Sequence, residues 1–250
     1  MSIRPGLCSV TFRQLDPAAI AALAADAGLQ AIEWGGDVHV PPGDVARAAE
    51  VARLTADAGL AVASYGSYFR AEAGEDVTPV LDAAEALGAH RIRVWAGRIG
   101  SADATGRERA ATIDALAVAA EQAGARGISL ALEFHGRTLA DDAEQTLRVL
   151  DEVGSPHLST YWQPTVAATD DVAVAEYRRI ADRVSAVHVF SWWPSTERLA
   201  LGARDGLWRA FAEAAESAPL PPRDALLEFV PGDDPSSLAA EAATLRGYLG

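Results

Sequence analysis

The 250-residue chain contains no lysine; all 21 of its basic residues are arginine. Schiff-base chemistry on a lysine amine, as in lysine-dependent aldolases or pyridoxal-phosphate enzymes, is thereby excluded. A single cysteine, Cys8, rules out an internal disulfide and a cysteine-rich zinc site, and its place in an apolar first strand marks it as inert core. No apolar run approaches the roughly 20 residues of a membrane span, so no membrane partner is expected. The opening stretch MSIRPGLCSV lacks a basic region followed by an apolar one; a secretory signal is not expected, and the expected compartment is cytoplasmic. Thirty-five acidic residues against 21 basic ones give a formal net charge of −14, which repels phosphate backbones and disfavours nucleic acid. Neither GxGxxG after a strand nor GxxxxGK[ST] occurs, so nucleotide-binding α/β folds lose support.

What the sequence does have is a repeated alternation. Short β-type runs (GLCSVTF, LQAIEW, LAVASYG, AHRIRVWAG, ISLALEF, HLSTYW, VSAVHVF, DALLEFV) are each followed by an amphipathic helical stretch. The first helix carries Asp16 as N-cap, Pro17 in its first turn and Gly28 as its stop. Eight such units, with no shift in composition to mark a second domain, predict one (β/α)8 TIM barrel, an α/β fold over residues 1–250.

In such barrels the inward residues at the C-terminal strand ends, with the loops that follow, build the site. Strand two offers Glu33, with His39 in its loop; strand three offers Tyr65 and Tyr68; strand four offers Arg93 and Trp95. Strand five offers Glu133 and His135, strand six Trp162 and Gln163, strand seven His188 with Trp192 and Trp193 beyond it, and strand eight Glu228. Glu133, Gln163, His188 and Glu228, one per strand, compose a mixed oxygen and nitrogen site for Mn²⁺, Mg²⁺, Co²⁺ or Zn²⁺. Two such carboxylates without an ion would repel, and one would tend to stay protonated. Each residue alone has a plainer reading: His188 as a hydrogen-bonded core histidine, or an inward Glu as the partner of Arg93. Four such side chains at four consecutive strand ends are harder to read that way. His90 and His157 fall at strand beginnings, on the face that serves stability rather than chemistry, and Asp233 and Asp234 fall at a helix start.

The chain resembles the sugar phosphate isomerase/epimerase family, the xylose isomerase-like TIM barrels. The resemblance rests on IEWGGDVHVP, LGAHRIRVWAG, LEFHG, TYWQP, VHVF and LLEF, in that order along nearly the whole chain. It implies a divalent-metal-dependent sugar isomerase or epimerase, in which Glu133 and Glu228 both bind the metal and move a proton through a metal-stabilised enediolate. The metal ligands it implies are Glu133, Gln163, His188 and Glu228. His39, Tyr65, Trp95, His135, Trp162 and Trp192 are the expected substrate contacts, the aromatic ones by stacking on a carbohydrate. Glu33 and Arg93 are expected to orient ligands from behind. The sequence departs from the family pattern at Gln163, where Asp is common, at Val166, where a histidine is common, and at Phe190 and Ser191, where Lys-Asp often stands. An acidic VPGDD loop after strand eight favours an unphosphorylated substrate. A dehydratase acting on a keto-inositol or oxidised sugar needs the same proton abstraction, and a non-catalytic sugar-binding barrel is the other alternative. A homodimer is expected on resemblance alone.

Overall fold

The computed structural model describes residues 3–218 and 222–250, so that five residues of the expected 1–250 domain (1, 2 and 219–221) lie outside the described residues. The strands are β1 (Arg4–Cys8), β2 (Ala31–Gly35), β3 (Ala61–Gly66), β4 (Arg91–Val94), β5 (Ser129–Leu132), β6 (Leu158–Trp162), β7 (Val184–Val189), a short hairpin of β8 (Ser191–Trp192) and β9 (Arg198–Leu199), and β10 (Asp224–Leu227). Around them run α1 (Pro17–Asp26), α2 (Val45–Asp57), α3 (Thr78–Leu87), α4 (Gly106–Ala125), α5 (Ala143–Val153), α6 (Asp170–Ile180), α7 (Asp205–Glu216) and α8 (Leu238–Leu249). Eight strands close into one parallel barrel in the order β1-β10-β7-β6-β5-β4-β3-β2, which is the expected (β/α)8 architecture. No helix among the described residues is long and apolar enough to cross a membrane.

Local chemistry accounts for the boundaries. Asp16 accepts the amide of Ala19 and Pro17 opens α1, while Thr105 and Glu108 cap α4 reciprocally. Gly88 and Gly154 end α3 and α5 in the left-handed region (φ 74° and 62°), where a Cβ is costly. Two departures from expectation lie beside the site. The first strand stops at Cys8, and Ser9–Phe12 form a 3-10 turn, because the Ser9 and Thr11 hydroxyls accept the amides of Gly35 and Phe229. The hairpin β8–β9 was not legible as strands; it is too short for alternation to register.

Two cores result from the strand alternation. Outward residues such as Trp34, Ile92, Val94, Leu132 and Trp162 pack against the helices. Inside the barrel, the small side chains of Ala31, Ala63, Ala131 and Ala186 surround Cys8, Tyr161 and Leu226. Towards the N-terminal end, buried Arg91 is fully engaged by Asp224 (2.5 Å), Tyr161 Oη (3.0 Å) and the Ser185 carbonyl (3.0 Å). That plug closes one end of the barrel and leaves the other open for a cavity.

Candidate active site

A cavity of about 440 Å³ opens at the C-terminal ends of the strands, within the size range of small-molecule sites. Glu133, Gln163 and Glu228 line it, together with Arg93, Trp95, His135 and Trp192. His188 is fully buried at its floor. Its Nδ1 lies 2.9 Å from Gln163 Oε1 and 3.4 Å from Glu228 Oε2. Neighbouring ligands around one ion with bonds of about 2.0–2.2 Å stand about 3 Å apart, so both of these contacts have the spacing of ligands that share a divalent cation. Glu133 is turned towards Arg93 instead, with Arg93 Nη1 on Glu133 Oε2. The four expected ligands are therefore gathered as three convergent donors and one carboxylate held aside by a guanidinium.

Behind His188 stands Glu33, the centre of a buried network. Its Oε1 is 3.3 Å from His188 Nε2 and accepts from Arg93 Nε at 3.2 Å. Its Oε2 accepts from Ser64 Oγ (2.7 Å) and Tyr161 Oη (2.8 Å). The Tyr161 ring meets the His188 ring edge-on at 4.9 Å. Nε2 faces the Glu33 carboxylate and Nδ1 faces the acceptor oxygens of Gln163 and Glu228, so holding an ion would require Nδ1 to give up its hydrogen while Nε2–H stays turned to Glu33. Cys8, Glu33 and His188 also bring ligand atoms within 4.8 Å of one another. Burial, and then Glu33, push the Cys8 thiol well above its ordinary value, so it remains a neutral donor to Glu33.

The carboxylates are held in opposite directions. Burial favours protonation of all of them, but His188 and Arg93 draw Glu33 far below the usual range. Arg93, then His188 and His135, likewise overcome burial at Glu133 and lower it. Glu228 lacks that direct guanidinium; burial raises it, and Glu133 adds to the rise against the opposing pull of His188. His188 is raised, the surrounding Glu228 and Glu33 outweighing its own burial.

On the cavity wall His135 stacks on Trp95 (4.7 Å between centroids), whose ring also carries Arg70 at 3.7 Å. His135 Nδ1 is 2.7 Å from the Gly136 carbonyl, which can only accept, so that nitrogen carries the hydrogen in the neutral ring. Three expected substrate contacts lie elsewhere. His39 is buried, with its ring nitrogens on Ser9 Oγ (2.9 Å) and the Leu15 carbonyl (3.2 Å). Tyr65 is one residue past the inward Ser64 and so points outward, its hydroxyl donating to the Val40 carbonyl. Trp162 precedes the inward Gln163 and faces the helices, stacked on Phe211 at 5.4 Å. Ser64 and Tyr161, which hold Glu33, went unread in the sequence although the same alternation places them inside: Ser64 is in register with Glu33, and Tyr161 stands two residues before Gln163.

The sequence matches the xylose isomerase-like TIM barrel family over residues 21–237. No curated protein matches it. Among solved structures, a probable 3-DHS dehydratase from Bacillus anthracis superposes with TM-score 0.78 at 18% identity, covering 98% of this chain and 99% of that one. A 3-keto-D-glucoside 4-epimerase from E. coli gives TM-score 0.76 at 17% identity, over 98% and 99% of the two chains. A D-allulose 3-epimerase from Methylomonas sp. gives 0.73 at 20% identity, over 100% and 98%. At these identities the likeness is one of fold.

Proposed function

The chain belongs to the xylose isomerase-like TIM barrel family, and from that premise we propose that it is a divalent-metal-dependent sugar isomerase or epimerase. The observation that carries this reading is the convergence of His188 Nδ1, Gln163 Oε1 and Glu228 Oε2 at the floor of the cavity. Glu133 would complete the set on leaving Arg93. A bound Mn²⁺, Mg²⁺, Co²⁺ or Zn²⁺ would supply Lewis acidity to a substrate carbonyl and so acidify the adjoining C–H.

The chain's own residues do the rest. Arg93 keeps Glu133 ionised, the form that accepts a proton from carbon. Glu228, across the cavity floor and free of that guanidinium, is placed to return one. Glu33 holds the His188 ring in orientation, and Trp95 and Trp192 shield the reacting carbon from water.

A second reading, a dehydratase, is favoured by His135. Its Nδ1 is committed to the Gly136 carbonyl, which leaves Nε2 as the free nitrogen of a ring held flat by Trp95. A basic nitrogen on the cavity wall suits abstraction of a proton followed by loss of water. The dehydratase among the structural neighbours accords with it.

The test begins with thermal melting of EDTA-stripped protein with and without each ion, beside Glu228→Gln. An ion at about 100-fold over its dissociation constant stabilises by roughly 2.7 kcal/mol. We expect at least one ion to raise the melting point of the wild type and to do so far less in the variant. Ketose panels in D₂O, followed by NMR and mass spectrometry, then separate the two activities, since isomerisation conserves mass and dehydration loses water. If no ion shifts the wild-type melting point, the metal-dependent reading fails.

A further inference from the structure

Among the described residues, five non-glycine residues have a left-handed backbone: Ala71, Arg137, Ala167, Phe229 and Asp233. All of them fall in loops that follow β3, β5, β6 and β10, at the open end of the barrel. Turns at the opposite end enter that region with glycine, as at Gly28, Gly59 and Gly127. A side chain held there is costly and persists where its placement serves a site. Two of the five, Arg137 (φ 61°) and Phe229 (φ 58°), line the cavity.

They offer different chemistry. Phe229 joins Phe190 and Trp192 in one aromatic wall, with ring centroids 5.7 Å and 4.7 Å from that of Trp192. Arg137 is a guanidinium in a cavity whose other two arginines are already engaged: Arg93 by Glu33 and Glu133, and Arg13 by Asp37 at 2.5 Å. Arg137 has no carboxylate partner among the described residues. Arg137 is exposed where it lines the cavity, so its guanidinium is open to an incoming anion.

We infer that Arg137 receives an anionic group of the substrate, a carboxylate, so that the substrate is a polyhydroxylated acid whose carbon skeleton lies along the Phe190, Trp192 and Phe229 wall. This deepens the metal-dependent reading and rests on it. The planar fork of a guanidinium matches the two coplanar oxygens of a carboxylate. A phosphate would instead call for backbone amides in glycine-rich loops after the last strands, and those loops carry Trp192, Trp193, Asp233 and Asp234. Arg137 also gives an anion a route past the three glutamates of the floor.

The experiment is calorimetric titration of Mn²⁺-loaded protein with quinate, D-glucuronate and D-gluconate, each beside its methyl ester, and with glucose 6-phosphate. Wild type is expected to prefer at least one acid over its ester by roughly tenfold to a hundredfold, the strength of one charge-assisted bidentate contact. Arg137→Met and Arg137→Gly both lose that preference, and the glycine variant melts above the methionine one because it relieves the left-handed backbone. The inference is overturned if no acid outbinds its ester, if the preference survives in Arg137→Met, or if glucose 6-phosphate alone shows an Arg137-dependent gain. Mn²⁺ occupancy, read by EPR in the same samples, keeps the two readings apart. Failure of Mn²⁺, Mg²⁺, Co²⁺ and Zn²⁺ alike to bind sinks the metal-dependent enzyme, whereas bound Mn²⁺ without an acid preference sinks only the role of Arg137.

Discussion

His188 Nδ1 stands 2.9 Å from Gln163 Oε1, a contact that joins β6 to β7 at the cavity floor. The amide oxygen is a neutral donor where an aspartate would bring a charge. Gln163→Asp is therefore expected to tighten Mn²⁺ binding by about tenfold through ligand charge. The same change lowers the stability of the metal-free protein, since a further carboxylate joins Glu228 beside His188. Gln163→Leu removes the donor and weakens binding. Titration calorimetry reads both affinities, and an unchanged affinity in Gln163→Leu would remove Gln163 from the ligand set.

Ion binding should release protons. Without an ion, burial and then Glu133 raise Glu228, and His188 is raised because Glu228 and Glu33 outweigh its burial. Both groups then hold protons to higher pH than free side chains do. Mn²⁺ affinity should rise with pH through those raised values and level off above them. The effect on metal-free stability has the same origin: the contribution of each raised group is full below its unfolded value and is lost as pH rises through its folded one. Glu33, which is lowered, contributes above the ordinary carboxylate range and loses that contribution only in strong acid. Calorimetry at about pH 6 and about pH 8, in buffers of different ionisation enthalpy, counts the protons released. A pH-independent affinity would contradict this account.

Arg93 ties the two sides of the site together, with Nε on Glu33 and Nη1 on Glu133. Arg93→Met should cost about 3–5 kcal/mol in urea unfolding, because two buried carboxylates lose their counter-charge. Adding Glu133→Gln to that variant should restore part of the loss, so the double variant is less destabilised than the two single effects combined. Additive losses would mean that the ion pair carries little of the coupling.

Much of this was legible in the sequence because the alternation of short strands and amphipathic helices repeats around the whole barrel. The address rule for strand ends likewise brought Glu133, Gln163, Glu228, Trp95 and His135 to one cavity and placed His188 at its floor. The parts that were not legible have local causes. Tyr65 and Trp162 sit next to inward Ser64 and Gln163, and consecutive strand residues face opposite sides, so neither could share the interior with its neighbour. A register shift between Ile32 and Glu33 against β3, and another between Thr160 and Tyr161 against β7, blur that count just where the site lies. His39 drops from the cavity because Ser9 and Leu15, in the turn after β1, take its nitrogens; nothing in its own motif announces that turn. The left-handed backbone of Arg137 is invisible in a sequence that offers glycine one position earlier.

The outward orientation of Trp162 is open to a direct test. Its indole is fully buried between β6 and the helices, 5.2 Å from the Tyr177 ring, 5.4 Å from Phe211 and 6.1 Å from Trp208. A residue packed in that way serves stability. Trp162→Ala is expected to cost about 3–5 kcal/mol in urea unfolding. Trp162→Phe, which keeps an aromatic ring, should cost much less. At a temperature where both variants remain folded, Mn²⁺ affinity should match that of wild type, since the cluster stands on the far side of β6 from the donors of His188, Gln163 and Glu228. Trp192→Ala supplies the contrast: its ring lines the cavity and is half-buried, so it should weaken substrate binding while leaving the unfolding midpoint nearly unchanged. A Trp162→Phe variant of wild-type stability but impaired substrate binding would place that tryptophan back in the cavity and overturn the outward assignment.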